Sequence, residues 1–281
     1  MPMYRASLVW CAKRFRGPLP LFAITLLLAW VSTGRVTAEP VDLRLVLAVD
    51  ASGSVNETRF DLQKRGYVEA FRNQRVLRAI ESGPHRKIAV TMVQWTGPAL
   101  QIQVTPWTVV GDVASMHAYA AAIEAAPRRL FSGGTSISGA IDFGVRLLAD
   151  CPFTASRSVI DVSGDGGNNR GRPPTQARDE AIASGIVING LPILELDPTL
   201  DEYYLSNVIG GPNAFMIAAA TFDGFAEAIL RKLILEIASA PVPKARTTGR
   251  WTPRNQVAHK LCDVPWVSMT PQNRQEVCAQ C

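Results

Sequence analysis

Blocks of apolar residues alternate along this chain with short polar loops, and the blocks carry two different periods. Leu43 to Val49 is short, rich in branched apolar residues and not alternating, the pattern of a strand covered on both faces, as in a parallel sheet flanked by helices. Thr58 to Ile80 spaces Phe60, Tyr67, Phe71 and Leu77 as the inward face of one long helix. Ile88 to Trp95 is strand-like, and Ala99 to Val104, after Gly97-Pro98, reads as its antiparallel hairpin partner at an edge. Val113 to Ala126 predicts a short Ala-rich helix, and Ile137, Ile141, Val145 and Leu148 predict another. Val159 to Ser163 reads as a strand, Pro174 to Ser184 as a polar helix and Ile186 to Leu194 as a strand. Asp201 to Val208 follows as a short helix, Ala214 to Ala219 as a last strand, and Phe222 to Ile237 as a closing amphipathic helix. Strands alternating with helices predict an α/β fold. The sheet is doubly wound and mainly parallel, with one antiparallel edge strand and helices on both faces.

Candidate chemistry collects where the first strand stops. Asp50-Ala51-Ser52-Gly53-Ser54 follows the apolar run directly, so it lies at the carboxyl edge of the sheet, where open α/β folds place their ligands. Asp50, Ser52 and Ser54 offer only oxygen, which suits Mg²⁺, Mn²⁺ or Ca²⁺ and lacks the His and Cys that Zn²⁺ prefers. Alone, the trio suits a structural turn or cap equally well. Two further loops change that balance. Ser132-Gly133-Gly134-Thr135-Ser136 puts Thr135 at a helix start with its hydroxyl exposed, and Gly164-Asp165-Gly166-Gly167-Asn168-Asn169 puts a second carboxylate after a strand.

An Asp-x-Ser-x-Ser after the first strand, a Gly-Gly-Thr before a middle helix and an Asp-Gly after the next strand occur here in that order. This set resembles the metal-ion-dependent adhesion site of von Willebrand factor A (VWA) domains. The similarity runs from about Val41 to Ala238, and the wording is nearest to a bacterial group of exported VWA-like proteins. The resemblance implies that Ser52, Ser54 and Thr135 supply hydroxyl ligands while Asp50 and Asp165 act largely through bound water. An open position then takes a partner's carboxylate. It implies a divalent cation, Mg²⁺ first and Mn²⁺ or Ca²⁺ as alternatives, and a protein or other macromolecular partner. Arg170 and Arg172 stand beside this set in sequence as candidates for holding an anion or as a solvated loop.

The ends of the chain read differently from its middle. Arg5, Lys13, Arg14 and Arg16 precede an apolar stretch from Leu19 to Val31, and Val36-Thr37-Ala38 resembles a cleavage site, so residues 1–38 read as a secretory signal. An uncleaved anchor is the alternative. The expectation is therefore an exported protein, periplasmic or extracellular, with no transmembrane span after cleavage, built of a 39–239 domain and a 240–281 tail. Residues 1–38 hold five basic and no acidic residues, which reduces 29 basic against 24 acidic to 24 against 24. The remaining chain is formally neutral and has no aromatic-basic stripe, so no nucleic-acid partner is expected. Its charge is uneven: the tail has six basic residues against Asp263 and Glu276. Beyond Cys11 there remain Cys151, Cys262, Cys278 and Cys281, an even set that predicts disulfides of unassigned connectivity, with a redox or metal-binding Cys278-x-x-Cys281 as the alternative.

Enzymatic readings lack their parts. No G-x-G-x-x-G follows the first strand, and His85, His117 and His259 all fall outside the candidate loops. The reading is a cation-binding module, not an enzyme. A scaffolding module with a vestigial metal site and, behind it, a metal-dependent hydrolase are the alternatives.

Overall fold

The computed structural model describes residues 38–238. The 1–38 signal, except Ala38, and the 240–281 tail with Cys262, Cys278 and Cys281 lie outside the described residues. Among the described residues, Cys151 is a free thiol.

The first strand is the centre of the molecule. β1 (Pro40–Asp50) pairs in parallel with β2 (Ile88–Trp95) on one side and with β5 (Thr154–Gly164) on the other, and β6 (Val187–Pro192) continues in parallel beyond β5. Two short strands, β3 (Gln101–Gln103) and β4 (Thr108–Val110), divide the remaining edge of β2 between them, both antiparallel. The expected antiparallel edge is thus present, and β4 extends it. The sequence does not announce β4, because three residues are too few to show a period. The order β3-β2-β1-β5-β6 reverses direction at β1, so the crevice at its carboxyl end, beside β5, is a topological switch point.

Strand alternation explains the two cores. Leu43, Leu45, Leu47 and Val49 join one apolar cluster with α1 (Glu57–Ala70), α2 (Gln74–Glu81), α3 (Val113–Ala125) and α7 (Phe225–Ala238). Val46 and Ala48 face the opposite cluster with α4 (Ile137–Ala149), α5 (Pro174–Ala183) and α6 (Leu200–Asn207). Both faces of β1 are therefore covered, which is why its sequence does not alternate.

Three expectations need correction. The predicted 58–80 helix is two helices, because Asn73 turns extended and caps α2 by accepting from the Arg75 N–H at 2.9 Å. The predicted 214–219 strand is held only by isolated parallel bridges, Gly190 to Met216 and Ile193 to Ala219. Thr135 does not itself open the helix; it is a mostly buried residue one position before Ser136, the N-cap of α4, which accepts from the Gly139 N–H at 3.2 Å.

Helix α7 is fixed by charge as well as by packing. Lys232 Nζ lies 2.6 Å from Asp161 Oδ1 and 2.8 Å from Glu236 Oε2, with all three side chains fully buried. Asn189 on β6 donates to Glu236 Oε1 at 2.6 Å and accepts from the Phe215 N–H at 2.8 Å. Burial works against the Lys232 charge, but Asp161 and Glu236 hold its pKa above the ordinary value. Lys232→Met is expected to cost about 3–5 kcal/mol in urea unfolding at neutral pH, because two buried carboxylates lose their counter-charge. Arg72→Ala, which breaks the exposed pair with Glu124, is expected to cost less than about 1 kcal/mol.

Candidate functional site

Parallel pairing brings the candidate loops to one edge. Asp50 is level with Trp95 on β2, and Val49 with Ser163 on β5, so the chain leaves β1 and β5 side by side into the two carboxylate loops. Asp50 is fully buried. Its Oδ1 accepts from the Ser52 N–H at 2.7 Å, and its carbonyl accepts from Gln63 Nε2 at 3.2 Å. From there a line of hydroxyls runs outward: Ser52 Oγ is 3.2 Å from Ser54 Oγ, which donates to Asp165 Oδ1 at 2.6 Å. Ser52 and Asp165 are buried and Ser54 is exposed, so the line passes through one solvent-facing hydroxyl.

Thr135 reaches this group through backbone. Its N–H donates to Asn169 Oδ1 at 2.9 Å, and its carbonyl accepts from the N–H groups of Asn169 at 2.9 Å and Arg170 at 3.1 Å, which ties the glycine-rich loop to the one after Asp165. Gly133 closes the third side, its carbonyl 3.4 Å from the Gly53 N–H. It adopts φ +115, and a Cβ there would stand 3.1 Å from Thr96 Oγ1, so a larger residue would strain the loop. Four of the five predicted residues, Asp50, Ser52, Ser54 and Asp165, are thus linked in a chain of hydrogen bonds, and Thr135 is tied by its backbone to the loop that follows Asp165.

The electrostatics are unfavourable as they stand. Burial and the neighbouring Asp165 raise the Asp50 pKa to about 7, against the opposing hydrogen bonds from Ser52. Burial also raises Asp165, with Ser54 and Arg59 opposing. Asp50 Oδ2 and Asp165 Oδ2 are both buried without a hydrogen-bond partner. Two carboxylates with one unpartnered oxygen each, beside neutral hydroxyls, fit a hard divalent cation as counter-charge. Among the described residues, no three His, Cys, Asp or Glu side chains are grouped to hold a metal. The oxygen atoms gathered here are those of two carboxylates and the neighbouring hydroxyls.

The two arginines separate. Arg172 forks onto Asp142 at 2.6 Å and Glu180 at 2.6 Å, so it braces α4 against α5 and is not directed to the site. Arg170 is exposed, and its side chain lies against Gly134, one residue from Thr135. Sequence reading missed Arg59, whose guanidinium donates to the Ser54 carbonyl at 3.0 Å and pairs with Glu195 at 2.8 Å. It also missed Tyr204, a fully buried residue of α6 whose hydroxyl lacks a partner. Arg59 occupies a polar helix position and Tyr204 resembles any core aromatic, so neither stood out.

One family's model, described as "Protein of unknown function (DUF1194)", matches residues 40–241, most of the chain. The chain belongs to that family. No curated protein matches it in sequence. Among solved structures it is similar to the pilus adhesin SpaC from Lactobacillus rhamnosus GG, at 16% identity and TM-score 0.51, over 71% of this chain and 31% of that one. It is also similar to proximal thread matrix protein 1 from the mussel byssus, solved with a zinc-occupied MIDAS motif, at 16% identity and TM-score 0.50, over 72% of this chain and 47% of that one. The chain therefore spans less than half the length of either structure. At these identities the likeness is one of fold, and the fold implied by the VWA resemblance is the one found.

The raised Asp50 pKa fixes a sign. The folded protein holds this proton more tightly than the unfolded chain, so Asp50 lowers stability as pH rises from about 4 to about 7. In EDTA, urea unfolding is expected to show a loss of stability between pH 4 and pH 7 that is smaller in Asp50→Asn. An unchanged slope in the variant would place the titration elsewhere.

Proposed function

We propose that the domain binds a divalent cation, Mg²⁺ foremost, through Asp50, Ser52, Ser54, Thr135 and Asp165, and through that cation a carboxylate of a protein or other macromolecular partner outside the cytoplasm. The observation that carries this reading is the pair of unpartnered, buried carboxylate oxygens on Asp50 and Asp165 at the switch point of the sheet. Bringing two such charges together is costly unless a cation balances them. The exposed position of Ser54 supports access from solvent. The cation would supply an electrophilic centre for an acidic group, while Arg59 and Asn169 hold the surrounding loops in place.

Two kinds of likeness support the same reading. SpaC is a pilus adhesin, and the byssus matrix protein carries its zinc in a MIDAS motif. Export rests on the basic and apolar residues of segment 1–38. No helix among the described residues is long and apolar enough to cross a membrane.

Thermal unfolding in EDTA and in millimolar Mg²⁺, Mn²⁺ or Ca²⁺ tests the cation step. At about 100 times the dissociation constant, the ion is expected to add about 2.7 kcal/mol to stability, seen as a raised midpoint that disappears in Asp50→Ala. Thr135→Ala is expected to weaken partner capture in the presence of the ion. A wild-type midpoint indifferent to all three ions would favour the scaffolding module.

A further inference from the structure

Behind the candidate cation site, two buried polar atoms without hydrogen-bond partners, Asp50 Oδ2 and Tyr204 Oη, stand beside Gly164, where the edge of the Trp95 ring also approaches. Asp50 Oδ2, Tyr204 Oη and Trp95 Nε1 are all unpartnered, and all three residues are fully buried. A Cβ built on Gly164 would stand 2.8 Å from Asp50 Oδ2, 3.1 Å from Tyr204 Oη and 3.2 Å from Trp95 Cζ2. A side chain larger than glycine here would collide with Asp50 Oδ2, so both polar atoms crowd one backbone position. Their hydrogen-bonding capacities are complementary. The carboxylate oxygen only accepts, and the phenol either donates or accepts. One water that accepts from Tyr204 and donates to Asp50 satisfies both.

We infer that Tyr204 is a positioning residue of the cation site, which holds one buried water against Asp50 Oδ2 and so fixes the orientation of the Asp50 carboxylate. The role rests on the cation-binding reading above and adds to it a second layer of residues. Burial and the charges of Asp50 and Asp165 raise the Tyr204 pKa well above its ordinary value, so the phenol keeps its proton and remains a donor. Groups that orient a metal's ligands in this way commonly change affinity when removed, without touching the ion.

The test is Tyr204→Phe in the full chain, which removes one oxygen and keeps the ring. Mg²⁺ and Mn²⁺ affinities, measured by calorimetric titration, are expected to fall about 10-fold, while the unfolding midpoint in EDTA stays unchanged or rises. A merely structural tyrosine would lower the EDTA midpoint and leave the affinity intact, and that result overturns the inference, as does a parallel loss of both. If the wild type binds Mg²⁺ and the variant binds it equally well, the inference alone fails. If the wild type binds none of Mg²⁺, Mn²⁺ or Ca²⁺, the cation reading fails and takes the inference with it. A crystal structure of the EDTA-treated protein supplies an ion-independent readout. A water within hydrogen-bond distance of both Asp50 Oδ2 and Tyr204 Oη is expected, and a dry gap there contradicts the assignment.

Discussion

Two negative charges buried near one another at the end of a parallel strand pair are the constraint on which the rest of this structure depends. Asp50 and Asp165 each bury a carboxylate, and neither finds a partner for its second oxygen. Such an arrangement is unstable on its own terms and persists only when the surrounding structure enforces it. Enforcement here comes from the extent of the packing: β1 is covered on both faces by separate apolar clusters, and its pairings with β2 and β5 run to the residues that carry the site. The loops are then bound to one another by backbone, Gly53 to Gly133 and Thr135 to Asn169 and Arg170. A rigid scaffold holds an electrostatically strained edge, and a cation is the simplest group that relieves it.

The same strand connects that edge to the last helix. Along β5, Ile160 and Val162 join the apolar cluster on one face, while Asp161 pairs with Lys232 of α7 and Ser163 lies 3.4 Å from the Tyr67 hydroxyl of α1. A polar column therefore runs up β5 toward Asp165, buried beneath α1 and α7. Displacing α7 would leave the buried Asp161 without its counter-charge, which penalises that movement.

Much of this was legible in the sequence, for identifiable reasons. β1 was readable because a strand buried on both faces leaves an unbroken apolar run, and the site loops were readable because their carboxylates and hydroxyls interrupt such runs abruptly. The break at Phe71 to Asn73 was not, since it involves neither Gly nor Pro and Asn73 looks like an ordinary polar helix position until its side chain caps α2. Residues 214–219 have strand-like composition but make only single bridges, a tertiary outcome that composition does not encode. Lys232 and Glu236 are charged residues of an amphipathic helix, yet they are buried against Asp161 and Asn189, which no local pattern signals because these partners lie on distant strands. Tyr204 was hidden for a related reason: only the fold brings its hydroxyl to Asp50.

The most direct test of the central claim is the position of the ion itself. Crystals of the protein soaked in Mn²⁺ and measured for anomalous scattering should show one strong peak bordered by Ser52, Ser54 and Thr135, about 2.0–2.6 Å from its oxygen ligands, with Asp50 and Asp165 contacting it directly or through water. A well-ordered site without that peak at saturating Mn²⁺, or a peak only elsewhere on the surface, would contradict the account.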